Sequence, residues 1–194
     1  MNYRVTYFIC PEKFTTILDF LIEFDKHKEK EFDHVIMHCG IVDFSPRPLS
    51  NIEKVKESKQ DNVEFKKLIE FNKSHYENPS ENLYFGEKTN TIYSLEYLNI
   101  VLGEKIKKIE NFIWINSNNI LRDWDGNFKK GRPLNINESV DLYEDALNKF
   151  IKVKISLKNW REKEIKDFTI DNIHFSKNGF KEISRLLIGL IEKE

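Results

Sequence analysis

An aspartate three residues ahead of a histidine is the arrangement in this sequence best suited to moving a proton. Asp171 and His174 stand in Asp171-Asn172-Ile173-His174-Phe175-Ser176-Lys177-Asn178-Gly179, close to the C-terminus. A carboxylate at that spacing can curl back, accept a hydrogen bond from the imidazole, fix its tautomer and stabilise the imidazolium formed during proton transfer. The pair is then a general base without its nucleophile. The same spacing also describes an Asp capping a turn beside a surface His. The stretch follows a short strand-like region and opens the last amphipathic helix, which places both side chains in a loop at a sheet edge.

A second stretch bears on the choice. His38-Cys39-Gly40-Ile41-Val42-Asp43-Phe44-Ser45-Pro46-Arg47-Pro48 leaves an apolar run and turns at two prolines. Ser45 lies in that turn, either as the nucleophile within the chain or as a serine stabilising the turn before Pro46. Cys10 is either a thiol partner for His174 or an inert buried cysteine. Arg47 either holds an anionic or sugar substrate by bidentate hydrogen bonds or pairs with Asp43 to brace the loop. His34 and His38, four apart on a strand, lie roughly 13 Å from each other, and Cys39 faces the other way, so these residues do not read as a zinc site. No Gly-rich phosphate loop is present, and no cofactor is expected.

Among 194 residues, Lys and Arg number 31 and Asp and Glu 32, with the signs interspersed, so nothing marks a nucleic-acid groove or an anionic membrane surface. No apolar run approaches the roughly 20 residues of a membrane span, and the N-terminus is not patterned as a signal peptide. A cytoplasmic location is the expectation. Trp114, Trp124 and Trp160 read as core or rim residues.

The periodicities place these groups. Residues 3–9 read as a strand stopped by Pro11, and a helix is expected from about Glu12, with Phe14, Ile17, Leu18, Leu21 and Phe24 on one face. Residues 33–41 read as a buried parallel strand ending in Gly. Residues 49–90 read as a polar excursion with one helix near 61–73, either a lid or a disordered insertion. Leu95 to Ile106 has helical spacing, and Phe112-Ile113-Trp114-Ile115 is a strand followed by a polar loop from Asn116 to Asn127. A helix capped by Asn137, a strand over 153–157 and a C-terminal helix capped near Ser176 or Asn178 complete the pattern. The alternation predicts one three-layer α/β/α domain with a mostly parallel sheet.

The turn after the Gly40 strand, combined with an Asp-x-x-His on the loop before the last helix, resembles the SGNH/GDSL hydrolase family. The likeness is to bacterial members associated with surface-polysaccharide modification, in which a strand ends in Gly-Ile-Val-Asp and a Pro-Arg pair follows. It covers most of the chain: the Gly40-x-x-Asp43 turn, the strand ending near Asn116, the helix near Asn137 and the closing motif. The resemblance implies a flavodoxin-like fold and ester hydrolysis or acyl transfer on a small acyl ester or acylated sugar. It makes His174 the base and Asp171 its orienter; Gly40, Val42, Asp43, Arg47 and Asn116 are expected on the substrate side from their place at the strand ends and the loops after them.

The family's Gly-Asp-Ser nucleophile turn is not in this sequence, and residues 3–9 fit its second strand by spacing. No Gly stands at positions 13–15, where the family's central oxyanion Gly is expected. Val42 replaces the Asn of Gly-x-Asn-Asp, an oxyanion donor whose loss typically costs about 2.7–4 kcal/mol. The nucleophile is therefore expected upstream of Met1, on a partner chain, or at Ser45. The alternative is a catalytically inactive binding or accessory protein in polysaccharide biosynthesis, and a third reading is an unrelated flavodoxin-like domain. A missing first strand would leave a sheet edge open to another chain. Sedimentation should accordingly show a homodimer or a partner complex, and a clean monomer would count against the open edge.

Overall fold

The computed structural model describes residues 4–6, 15–27 and 31–192. The strand expected over residues 3–9, and Cys10 after it, fall largely outside them; the described part, Arg4–Thr6, lies in no strand. Helix α1 (Ile17–Asp25) begins at a capping box, in which Thr16 Oγ1 accepts from the Asp19 N–H (3.3 Å) and Asp19 Oδ2 accepts from the Thr16 N–H (2.8 Å). Ile17, Leu18 and Leu21 form its buried face, as the spacing predicts. Strand β1 (Val35–His38) is shorter than the apolar run 33–41, because Gly40 takes φ +130° and turns the chain into the short helix α2 (Ile41–Phe44). A Cβ at Gly40 would lie 3.3 Å from the Phe44 ring, so glycine serves both the backbone and the close approach.

Residues 49–90 correct the expectation of a polar excursion with one helix. After the two-residue strand β2 (Arg47–Pro48) come α3 (Leu49–Ser58), α4 (Val63–Phe71) and α5 (Lys73–Glu77). Strands β3 (Ser80–Tyr84) and β4 (Glu87–Asn90) then form a hairpin. Phe85 and Gly86 at its tip both have positive φ (55° and 78°), the backbone that a two-residue hairpin turn requires. Strand β4 lies between β2 and β3 in a small antiparallel sheet. Ile52, Phe65 and Leu68 pack in the same buried cluster as Ile17 and Leu18. The polar surface residues hid this from a reading by composition, because only one face of each short helix is apolar.

The next helical stretch is α6 (Leu95–Tyr97), a π-helical turn (Leu98–Leu102) and α7 (Gly103–Ile106). Strand β5 (Phe112–Ile115), α8 (Ile136–Asn148) and β6 (Val153–Ile155) follow. A turn of 3-10 helix leads to α9 (Glu162–Phe168), which the sequence reading missed, and the chain closes with α10 (Lys177–Ile191). Ser176 caps α10 as expected, its Oγ accepting the Gly179 N–H (3.1 Å). Asn137 does not cap α8; its amide binds both the N–H and the carbonyl of Ile120 (2.8 and 2.9 Å).

The chain is thus mixed α/β. One three-stranded sheet has the order β1-β5-β6, all parallel, while the antiparallel sheet stands apart, so the expectation of a single mostly parallel sheet is met only in part. Central β5 is buried on both sides, as its unbroken apolar run requires. Phe112 and Trp114 pack with residues of α1 and α8, whereas Ile113 and Ile115 pack with Ile165 of α9 and Ile183 of α10. Among the described residues, no helix is long and apolar enough to cross a membrane.

Asp43, wholly buried on α2, joins this edge to α1. Its Oδ1 accepts the Ile17 N–H (2.8 Å), and its Oδ2 has no hydrogen-bond partner among the described residues. Burial raises its pKa from 3.8 to about 6, against the pull of the Ile17 N–H, the Tyr93 phenol and Arg47. A folded pKa above the unfolded one gives stability that is complete below about pH 3.8 and lost as pH rises through about 6. Asp43→Asn keeps an acceptor for Ile17 and removes the buried charge. Urea unfolding should therefore find it equal to the parent near pH 3.5 and more stable above about pH 6, by at most ~3 kcal/mol at about 1.4 kcal/mol per pKa unit. A difference that does not vary with pH would contradict this.

Candidate functional site

Asp171 and His174 lie on a tight loop between α9 and α10. Its ends are tied by a bridge between Thr169 and Phe175, with the Ile170 N–H donating to the His174 carbonyl (2.8 Å) and the Ser176 N–H to the Phe168 carbonyl (2.8 Å). Inside the loop Asn172 takes φ +71° and is fully buried. Its side chain accepts the Leu121 N–H (3.0 Å) and donates to the carbonyls of Leu121 (3.1 Å) and Trp124. In return, Asn118 Nδ2 donates to the Asn172 carbonyl (2.9 Å). The polar loop after β5 and the dyad loop are thereby stitched together. Gly126 completes the seam: the Asn127 N–H donates to the Ile170 carbonyl (2.9 Å), and a Cβ on Gly126 would lie 2.2 Å from that oxygen.

The dyad has the geometry its spacing predicts. Nδ1 of His174 lies 2.8 Å from Asp171 Oδ2. Asp171 Oδ1 accepts the N–H groups of His174 (2.8 Å) and Ile173 (3.1 Å), which forms an Asx turn and fixes the carboxylate. Burial works to raise the Asp171 pKa, but the His174 N–H, the imidazole and the Ile173 N–H outweigh it and hold the carboxyl below its usual range. The carboxylate side chain is 9% exposed and the imidazole 71%, so the ring presents its far nitrogen outward. A ring that donates from Nδ1 to the carboxylate leaves the Nε2 lone pair free to take a proton.

The sequence reading missed a third member. Arg132 Nη2 donates to both the carbonyl (3.0 Å) and Oδ2 (3.2 Å) of Asp171, and its guanidinium lies 3.8 Å over the Phe128 ring. The available signal was a basic residue between Gly131 and Pro133 in a polar loop, too common to single out. Tyr84 at the hairpin tip donates to the Gly131 carbonyl (2.9 Å), so the excursion touches the site through one phenol. His38, at the end of β1, stacks on Phe175 with centroids 4.8 Å apart; its crowded apolar surroundings lower its pKa although the ring keeps an accessible edge.

The other candidate residues are used within the fold. The Ser45 hydroxyl donates to the Ile41 carbonyl at the end of α2, the turn-stabilising role, and among the described residues makes no hydrogen bond to His174. Arg47 Nε and Nη2 both donate to the Val42 carbonyl (3.0 and 2.8 Å), so Arg47 braces the loop through backbone. Gly40 is buried, and Asp43 is enclosed against α1 rather than facing a ligand. Asn116 is buried too: its Oδ1 accepts the Leu157 N–H (2.7 Å) and its Nδ2 donates to Glu144 Oε2 (3.3 Å). Glu144, a second buried carboxylate absent from the sequence reading, also takes the Ser117 N–H (2.9 Å) and hydroxyl (2.5 Å), and burial raises its pKa. Cys10 lies outside the described residues. Among the described residues, no group of His, Cys, Asp and Glu is placed to hold a metal ion.

No family model, no curated protein and no solved structure matches the chain.

The Gly126 seam is testable. Gly126→Ala should destabilise the chain by about 2–4 kcal/mol, because it adds a backbone clash to the cost of positive φ. Gly86→Ala, also at positive φ but with open space around its Cβ, should cost only about 1 kcal/mol. Equal losses in urea unfolding would show that the approach to Ile170 carries no load.

Proposed function

We propose that the chain is a hydrolase of the SGNH/GDSL type acting on acyl esters, O-acyl groups of sugars among them, with His174 as general base and Asp171 as its orienting partner. The observation that carries this reading is the 2.8 Å contact between His174 Nδ1 and the anchored carboxylate, with the opposite ring nitrogen facing outward. The burial of β5 from both sides by helices supports the finer three-layer, flavodoxin-like reading of the fold. In the reaction Nε2 takes the proton of the attacking group as the acyl carbonyl becomes tetrahedral. Asp171 stabilises the imidazolium, and the same proton passes to the departing alcohol.

A second reading, a binding or accessory protein on the same scaffold, is favoured by one specific observation. Asp43, Asn116 and the Val42 carbonyl are committed to internal hydrogen bonds, and among the described residues no hydroxyl or thiol is hydrogen-bonded to Nε2 of His174. Hydrolysis of a small activated acyl ester separates the two. The hydrolase reading expects turnover that falls at least about 100-fold in His174→Ala, the usual contribution of a general base. Turnover no greater than that of the His174→Ala variant would reject hydrolysis and leave the binding reading.

A further inference from the structure

The contact between Arg132 and Asp171 leaves half of the guanidinium unused. Arg132 meets the carboxylate through Nη2 alone, and that nitrogen is shared with the Asp171 carbonyl. The two-armed pairing that makes arginine and carboxylate a closed unit is therefore not formed. Asp171 already accepts the N–H groups of His174 and Ile173 and the His174 ring. On the arginine, and among the described residues, Nε is enclosed without a partner, while Nη1 makes no hydrogen bond and is not enclosed. The side chain is also held in place by the Phe128 ring beneath it and is 15% exposed.

We propose that Arg132 anchors an anionic group, a carboxylate or a phosphate, of the ligand that His174 meets; this deepens the hydrolase reading and names its substrate class. A planar guanidinium already fixed in orientation loses little freedom when it takes such a group, and its partly enclosed position limits screening by water. The charges around it agree. Lys129 and Lys130 precede it in the same loop. The Tyr84 phenol lies within electrostatic reach of both Arg132 and Arg47. The facing carboxylates are Asp171, already shared by four donors, and Asp125, which like Arg132 lies within electrostatic reach of Tyr84. Because imidazole and guanidinium converge on one oxygen, Asp171 Oδ2, a ligand held by Arg132 lies beside the exposed ring.

The test is direct binding, followed by NMR titration of the full chain with glucuronate, inorganic phosphate and glucose. Saturable binding of glucuronate or phosphate without binding of glucose is expected, and the stronger of the two identifies the anion as carboxylate or phosphate. Arg132→Gln should weaken it about 10- to 100-fold, the worth of one or two charge-assisted hydrogen bonds. Should that variant fail to fold, Arg132→Lys, which keeps the charge but not the fork, should weaken it at least about threefold. Glucose binding as well as glucuronate, anion binding unchanged in the Arg132 variants, or no saturable binding would each overturn the anchor. Anion binding without ester turnover would instead reject hydrolysis and leave the anchor standing.

Discussion

The side chain of Asn172 is the contact on which the candidate site depends. It is fully buried, it sits at φ +71°, and its amide closes three hydrogen bonds to Leu121 and Trp124 across more than forty residues of sequence. Asparagine tolerates that backbone better than most residues, and it carries an acceptor and two donors on a short arm. Each buried group left unpaired would cost about 1–3 kcal/mol. Neither neighbour of Asn172 can turn away without breaking this set, so Asp171 is held with its carboxylate toward the imidazole and the loop after β5 is held beneath it.

Two kinds of carboxylate share this edge of the parallel sheet, and burial sorts them. Asp43 and Glu144 are enclosed and act as acceptors for backbone and side-chain donors, and burial raises the pKa of each. Asp171 is met by two N–H groups, an imidazole and a guanidinium, and stays below its usual range. The first two brace the strand ends and α1. The third orients a ring that reaches solvent. Glu144 also meets the Lys158 ammonium (3.5 Å), so depth, and not the number or charge of the donors, separates the two kinds.

The sequence made the dyad legible because Asp-x-x-His is a local motif whose geometry follows from the turn itself. Strand β5 and helices α8 and α10 were legible for a related reason: long apolar periodicity leaves few alternatives. Arg132 was not, because its role depends on a contact to Asp171 across 39 residues, and nothing in Gly131-Arg132-Pro133 encodes that partner. Residues 49–90 were misread since short helices with one apolar face each look polar on average. The substrate-side roles given to Asp43 and Asn116 rested on their place at strand ends, and that place is equally where buried side chains must satisfy loop backbone.

The protonation of the His174 ring tests this arrangement most directly, because the carboxylate contact determines which nitrogen carries the proton. In two-bond proton–nitrogen correlation spectra, the neutral ring should be the tautomer with hydrogen on Nδ1 and a bare Nε2, and Asp171→Asn should disturb that preference. A parent ring with hydrogen on Nε2, or an even mixture of tautomers, would contradict a base oriented by Asp171.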